Sequence, residues 1–241
     1  MYKTAGVLLD ISPRQLSVIA VTGCGGKSTF IETLAVEYSE KKVLITPTAK
    51  MLPIRREDVV LCATPQECAS HKALKGIQCL GTLNENSGKL EALPPELLEK
   101  IISRYDIVLL EADGSRGLPC KGWLPGEPVI PRYCTHTVGI VTMDALGKPS
   151  GSGTVLRLPE FLALTGLQEG DAITTDALTN MVCAKDGMFR SGRGSQSIFV
   201  NKAENSAASA KKWLMNIKQA YPGRFACLAY GSAQANKWRE L

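Results

Sequence analysis

Apolar and polar positions along the chain follow two alternating periods. Short runs rich in β-branched residues occupy 17–22, 42–46, 58–62, 77–81, 107–111, 137–142, 197–200 and 225–230. Several are continuously apolar, as expected of strands covered on both faces. Between them, 27–39, 65–72, 94–104, 159–165, 174–184 and 207–221 show the spacing of amphipathic helices. Pro94 and Pro159 suit a first helical turn, and Thr174 or Thr175 suits an N-cap. Strands alternating with helices predict an α/β fold, a three-layer α/β/α arrangement around a mostly parallel central sheet. The whole of 1–241 reads as one such domain, with inserted loops at 114–131, 147–154 and 187–197. The first loop holds eight Gly or Pro in its 18 residues. Proline restricts φ, so this segment is expected to be shaped.

Composition changes that picture little. Of the 241 residues, 44% are hydrophobic and 21% charged, the balance of a soluble globular chain. No apolar run approaches the roughly 20 residues a membrane-spanning helix needs, and the short apolar patch before Asp10 does not resemble a signal peptide. A cytoplasmic protein without a membrane partner is expected. The eight cysteines form no C-x-x-C pair, and His71 and His136 are the only histidines. Scattered cysteines in a chain of this length read as small buried hydrophobes. Residues 185–241 carry ten Lys/Arg against three Asp/Glu, so the net +5 comes from this end. The aromatics are not interleaved with these cations, which argues against nucleic acid as a partner.

The sharpest signal is the strand 17–22 running into Gly23-Cys24-Gly25-Gly26-Lys27-Ser28-Thr29 and then into a helix. Glycines let backbone N–H groups converge on a phosphate, and the helix start adds partial positive charge. Lys27 would reach the terminal phosphates and the Ser28 hydroxyl would ligate Mg²⁺. Val21 stands where the common phosphate-loop pattern has its first glycine. The match is to a shorter variant that closely resembles the loop of the Mur ligase family.

The strand 107–111 ends in Glu111, with Asp113 two residues on. Alternation places both carboxylates on one side if the strand continues. A phosphate-loop protein needs such an acid to hold the magnesium or orient water. Thr48, after the second strand, could complete the metal shell or simply cap its turn.

Asn201-Lys202-Ala203-Glu204 follows a late strand and resembles the N-K-x-D guanine motif of GTPases, with a glutamate in place of the aspartate. Ser232 and Ala233 resemble the short loop that closes over guanine in those proteins. The expected nucleotide is therefore GTP or ATP.

Glu111 to Pro131 is long and unusual, and with the glycine–lysine loop it resembles the YqeC family, accessory proteins associated with selenium-dependent molybdenum hydroxylases. The resemblance continues through 143–147, 157–161, 164–166, 173–175 and the Asn201-Lys202 segment. It implies a nucleotide-binding protein that helps to make or insert a selenium-containing cofactor, with such a hydroxylase or its cofactor as partner. Lys27, Ser28, Glu111, Asp113, Arg116, Lys121 and Glu127 carry over by the match. Arg116 would steady transition-state charge or pair with Glu127, and Asp144 and Arg157 would face a second substrate or form ion pairs. Two functions remain open: a magnesium-dependent accessory NTPase, and a Mur-like enzyme that activates a small molecule by phosphoryl or nucleotidyl transfer.

Overall fold

The computed structural model describes residues 1–12 and 15–241. α1 (Ala5–Leu8) precedes β1 (Ser17–Gly23), which runs through Cys24, Gly25 and Gly26 into α2 (Lys27–Glu37). β2 (Lys42–Pro47), β3 (Lys50–Met51), β4 (Val59–Cys62) and α3 (Pro65–Ser70) follow. Next come β5 (Gly76–Leu80), β6 (Thr82–Asn84), β7 (Lys89–Glu91), α4 (Pro95–Ile102) and β8 (Ile107–Glu111). The chain continues through β9 (Cys120–Lys121), β10 (His136–Thr142), β11 (Val155–Leu156), α5 (Leu158–Thr165) and α6 (Thr175–Cys183). It closes with β12 (Ser195–Asn201), α7 (Ala207–Ala220), β13 (Cys227–Ser232) and β14 (Lys237–Glu240).

Nine strands form one sheet in the order β14-β13-β12-β10-β1-β8-β2-β5-β4. Every neighbouring pair is parallel except β13 with β14. The fold is mixed α/β, with a large, mostly parallel sheet flanked by helices. Alternation along each strand divides the core between the two faces. Ile19, Val21, Ile107 and Leu109 pack with Ile31 and Leu34 of α2. Their sequence neighbours Val18, Ala20, Val108 and Leu110 meet Cys68 of α3 and Leu98 and Ile101 of α4. Farther along that second face, Ile198, Val200 and Leu228 pack on Leu178 of α6 and Trp213 of α7. Phe30, Phe199 and Trp238 form an edge-to-face cluster with centroids 4.9–5.8 Å apart, each such pair contributing about 0.5–1.5 kcal/mol beyond its burial.

The sheet interior explains the continuous apolar runs: all seven residues of β1 are buried. Some boundaries differ from the sequence reading. β12 begins at Ser195, inside the expected loop 187–197, because Ser195 and Gln196 pair with His136 and Thr137 although neither side chain is apolar. The loop 114–131 contains β9, which pairs with β11 and stitches this segment to the start of α5. Thr174 is the N-cap of α6, its hydroxyl accepting from the Ala177 N–H.

β1 lies at the centre of the sheet. The chain leaving it crosses β8 to reach β2, whereas β10 and its successors lie on the other side. Open α/β sheets bind ligands outside the carboxyl ends of strands at such a reversal of direction.

Candidate functional site

Gly26, the residue before α2, has φ 117° and ψ 37°, and supplies no side-chain cap. The first N–H groups of a helix lack intrahelical partners, so this turn presents uncapped donors and the positive end of the helix dipole. A Cβ on Gly26 would lie 2.4 Å from Nδ2 of Asn201, and one on Gly25 would lie 2.7 Å from the Cβ of Thr142. Only glycine therefore permits this close approach of the loop to β10 and β12.

The leading side chains of α2 diverge. Lys27 is buried; its Nζ donates to the Gly23 carbonyl at 2.7 Å and lies 3.3 Å from Oδ1 of Asp113. Ser28 and Thr29 are exposed, and the Ser28 hydroxyl donates to Oε2 of Glu111 at 3.1 Å. Both acids thus meet the same helix start, but their environments differ. Glu111 closes β8 beside the exposed Ser28, and burial raises its pKa, with Lys27 and Ser28 only partly opposing. Hard oxygen donors of this kind suit magnesium and its water shell.

Asp113 is fully enclosed. Its Oδ2 accepts from Thr22 Oγ1 at 2.8 Å, Lys121 Nζ at 3.2 Å and Trp123 Nε1 at 2.7 Å. The Gly23 N–H lies 3.2 Å from Oδ1. Burial works against ionisation, but Lys27, then Lys121, with Trp123 and Thr22, hold this carboxyl below the ordinary range. Lys27 is in turn pushed above its ordinary value against its burial, by Asp113 and Glu111. With its lone pairs taken by donors, Asp113 is the less open of the two acids, and Glu111 with Ser28 is the better oxygen pair for a metal.

From Lys121 a chain of opposite charges runs outward. Its Nζ also donates to the Gly114 carbonyl at 2.8 Å and lies 3.6 Å from Glu127, which pairs with Arg157. Arg157 is in the left-handed region (φ 59°) immediately before α5. Arg116 is exposed, also left-handed (φ 51°), and its guanidinium has no hydrogen-bond or ion-pair partner among the described residues. The Arg116–Glu127 pairing is thus replaced by Arg157–Glu127. The Thr48 hydroxyl donates to the Val129 carbonyl at 2.6 Å, which ties the 114–131 segment to the end of β2.

The Asn201 group lies nearby but is used differently. Its Nδ2 donates to the Gly25 carbonyl and its Oδ1 accepts from the Ala233 N–H, both at 2.7 Å. Lys202, left-handed at φ 56°, pairs with Asp144 at 3.5 Å. Glu204 and Ser232 line a cleft of about 450 Å³ together with Tyr2, Tyr230, Lys237 and Arg239. Cys24, inside the loop, is buried, and burial pushes its thiol up to about 12.

Two residues of this cluster, Thr22 and Trp123, are absent from the set read from the sequence. Thr22 carries a weak signal, the polar end of an apolar strand. Trp123 carries none, since only the return of the 114–131 segment brings its indole to Asp113.

The YqeC protein family matches residues 19–159, more than half of the chain and including the glycine–lysine loop and Glu111 to Pro131. A protein of Escherichia coli (strain K12) described as "Uncharacterized protein YqeC" is 29% identical over 219 residues, covering 86% of each chain. The chain belongs to the YqeC family.

Proposed function

We propose that this protein binds a nucleoside triphosphate with Mg²⁺ at the loop 23–29 and uses it in the maturation or insertion of a selenium-containing molybdenum hydroxylase cofactor. The observation that carries the nucleotide reading is the Ser28–Glu111 hydrogen bond of 3.1 Å at an uncapped helix start, with Lys27 alongside. Uncapped N–H groups, a lysine and a serine–carboxylate pair are the groups that phosphate and its magnesium require. In that role Ser28 and Glu111 hold the metal or its waters, and Lys27 leaves the Gly23 carbonyl for a terminal phosphate. The maturation role is proposed from the family alone.

Guanine is the favoured base. Glu204 and Ser232 share one cleft, and Asn201 ties that region to the phosphate loop through Gly25 and Ala233. A carboxylate there can accept from two guanine nitrogens, whereas adenine offers it one amino group. A second reading, a small-molecule enzyme using ATP, draws support from Lys121 and Trp123, which pin the 114–131 segment beside the loop where a substrate could sit.

The test is equilibrium titration with labelled, non-hydrolysable GTP and ATP analogues, with and without Mg²⁺. Magnesium-dependent binding abolished by Lys27→Ala is expected, with GTP preferred and the preference relaxed by Glu204→Ala. ATP preference unaffected by Glu204→Ala moves the enzyme reading ahead. Absence of binding by the wild-type protein overturns both.

A further inference from the structure

Lys121 is fully buried, a costly position for an ammonium group unless it is paired. Its partners are Asp113, the Gly114 carbonyl and Glu127, and its ammonium also lies 5.3 Å from the centre of the Trp123 ring. Asp113 therefore has two buried cations within 3.3 Å, Lys27 and Lys121, at different oxygens. Glu127 has Arg157 as its own partner, so Lys121 is available to Asp113 beside Lys27.

The two lysines differ in what else holds them. Lys27 is on the first turn of α2, and among the described residues its ammonium is in direct contact with Asp113 and the Gly23 carbonyl alone, with Glu111 acting at longer range. Lys121 is on β9, locked into the pairing with β11 and into a second ion pair with Glu127. A phosphate arriving at the loop competes with Asp113 for Lys27. Were Lys27 the sole cation on Asp113, its departure would leave a buried, uncompensated carboxylate, an expensive state. With Lys121 in place, Asp113 keeps a cation and the donors Trp123, Thr22 and Gly23.

We infer that Lys121 is a positioning residue for nucleotide binding: it neutralises Asp113 so that the charge of Lys27 is free for phosphate. The inference rests on the nucleotide reading of the loop and adds a role for a residue that touches no phosphate itself. It also gives the 114–131 segment a connection to ligand binding, since Lys121 and Trp123 both lie on it.

The experiment is a double-mutant cycle on affinity for the labelled GTP analogue with Mg²⁺, with inorganic tripolyphosphate as competitor, using Lys121→Met, Asp113→Asn and the pair together. Lys121→Met leaves Asp113 leaning on Lys27 and is expected to weaken binding by about tenfold or more, the scale of coupling between charges in one network. In the Asp113→Asn background there is no carboxylate to neutralise, so adding Lys121→Met should change affinity by less than about threefold. A merely structural lysine would impose the same loss in both backgrounds, and that result overturns the inference while leaving the nucleotide reading intact. Failure of the wild-type protein to bind either probe overturns the reading and the inference with it. Thermal unfolding of each variant checks folding, and Lys121→Gln, which keeps a donor without the charge, takes the place of Lys121→Met in the same cycle if the latter does not fold.

Discussion

The side chain of Asn201 bonds to Gly25 across 176 positions of sequence, its amide donating to the Gly25 carbonyl at 2.7 Å while its oxygen accepts from the Ala233 N–H at 2.7 Å. One buried side chain thus holds the loop 23–29, the end of β12 and the turn after β13 in a fixed relation. The cleft lined by Glu204 and Ser232 is thereby joined to the loop 23–29.

Asn201→Ala is expected to leave two backbone groups without their partner. Each unpaired buried polar group costs about 1–3 kcal/mol, so the variant should lose about 2 kcal/mol or more of unfolding free energy. Urea unfolding at neutral pH measures it. A loss within about 0.5 kcal/mol, typical of an ordinary surface change, would mean that water replaces both bonds and that the residue is no clamp.

Gly26→Ala tests the same junction from the other side. The new methyl would stand 2.4 Å from Nδ2 of Asn201, at a residue with φ +117°, and strain of this kind costs about 1–3 kcal/mol. Because the methyl drives Asn201 off the Gly25 carbonyl, the two losses should not add. The double variant Gly26→Ala/Asn201→Ala is expected to be less destabilised than the sum of the singles, as read by the same urea unfolding. Additive losses would show that the backbone conformation alone is at stake.

How far these relations can be read from the sequence depends on the distance over which the cause acts. The run at Ile107–Glu111 is apolar until its carboxylate, and β8 has those same bounds. The start of α2 at Lys27 follows from the glycines before it. The two-residue strands β9 and β11 are too short to show any period, and β14 is a four-residue strand whose buried face is Trp238 alone. In the site, Glu111 and Asp113 are marked by strand alternation, but their division of labour is not. Asp113 is enclosed by Lys121 and Trp123 because the 114–131 segment turns back on it, which is tertiary packing that no local pattern encodes. Asn201 stands out by its motif, yet the geometry assigns its side chain to the backbone of two loops.

The cysteines provide a separate expectation. All eight are buried and unpaired, and burial pushes the thiols of Cys24, Cys134 and Cys227 up to about 12 and that of Cys68 to about 11. The thiolate is the reactive species, so iodoacetamide at neutral pH should leave the folded protein unmodified over a period in which the urea-unfolded chain takes up eight labels. Mass spectrometry counts them. Rapid labelling of Cys24 in the folded state would show that the loop opens far enough to expose its thiol.

Glu111 provides the pH test. Burial raises its pKa, with Lys27 and Ser28 only partly opposing. A raised value means that the folded protein holds this proton more tightly than the unfolded chain does. The stability linked to it is complete below the unfolded carboxyl value and is lost as pH rises through the folded value. Glu111→Gln carries no charge at any pH, and its amide oxygen can still accept from Ser28. In the absence of Mg²⁺ the thermal midpoint of the variant should therefore gain on that of the wild type as pH increases from about 4 to about 8. If Glu111 and Ser28 hold magnesium, adding Mg²⁺ with the non-hydrolysable nucleotide stabilises the ionised carboxylate and raises the midpoint of the wild type by more than that of Glu111→Gln. An advantage of the variant that is the same at all pH values would mean that the carboxylate is not penalised by its burial. Equal magnesium stabilisation of both proteins would remove Glu111 from the metal site and leave its bond to Ser28 as a helix-start contact.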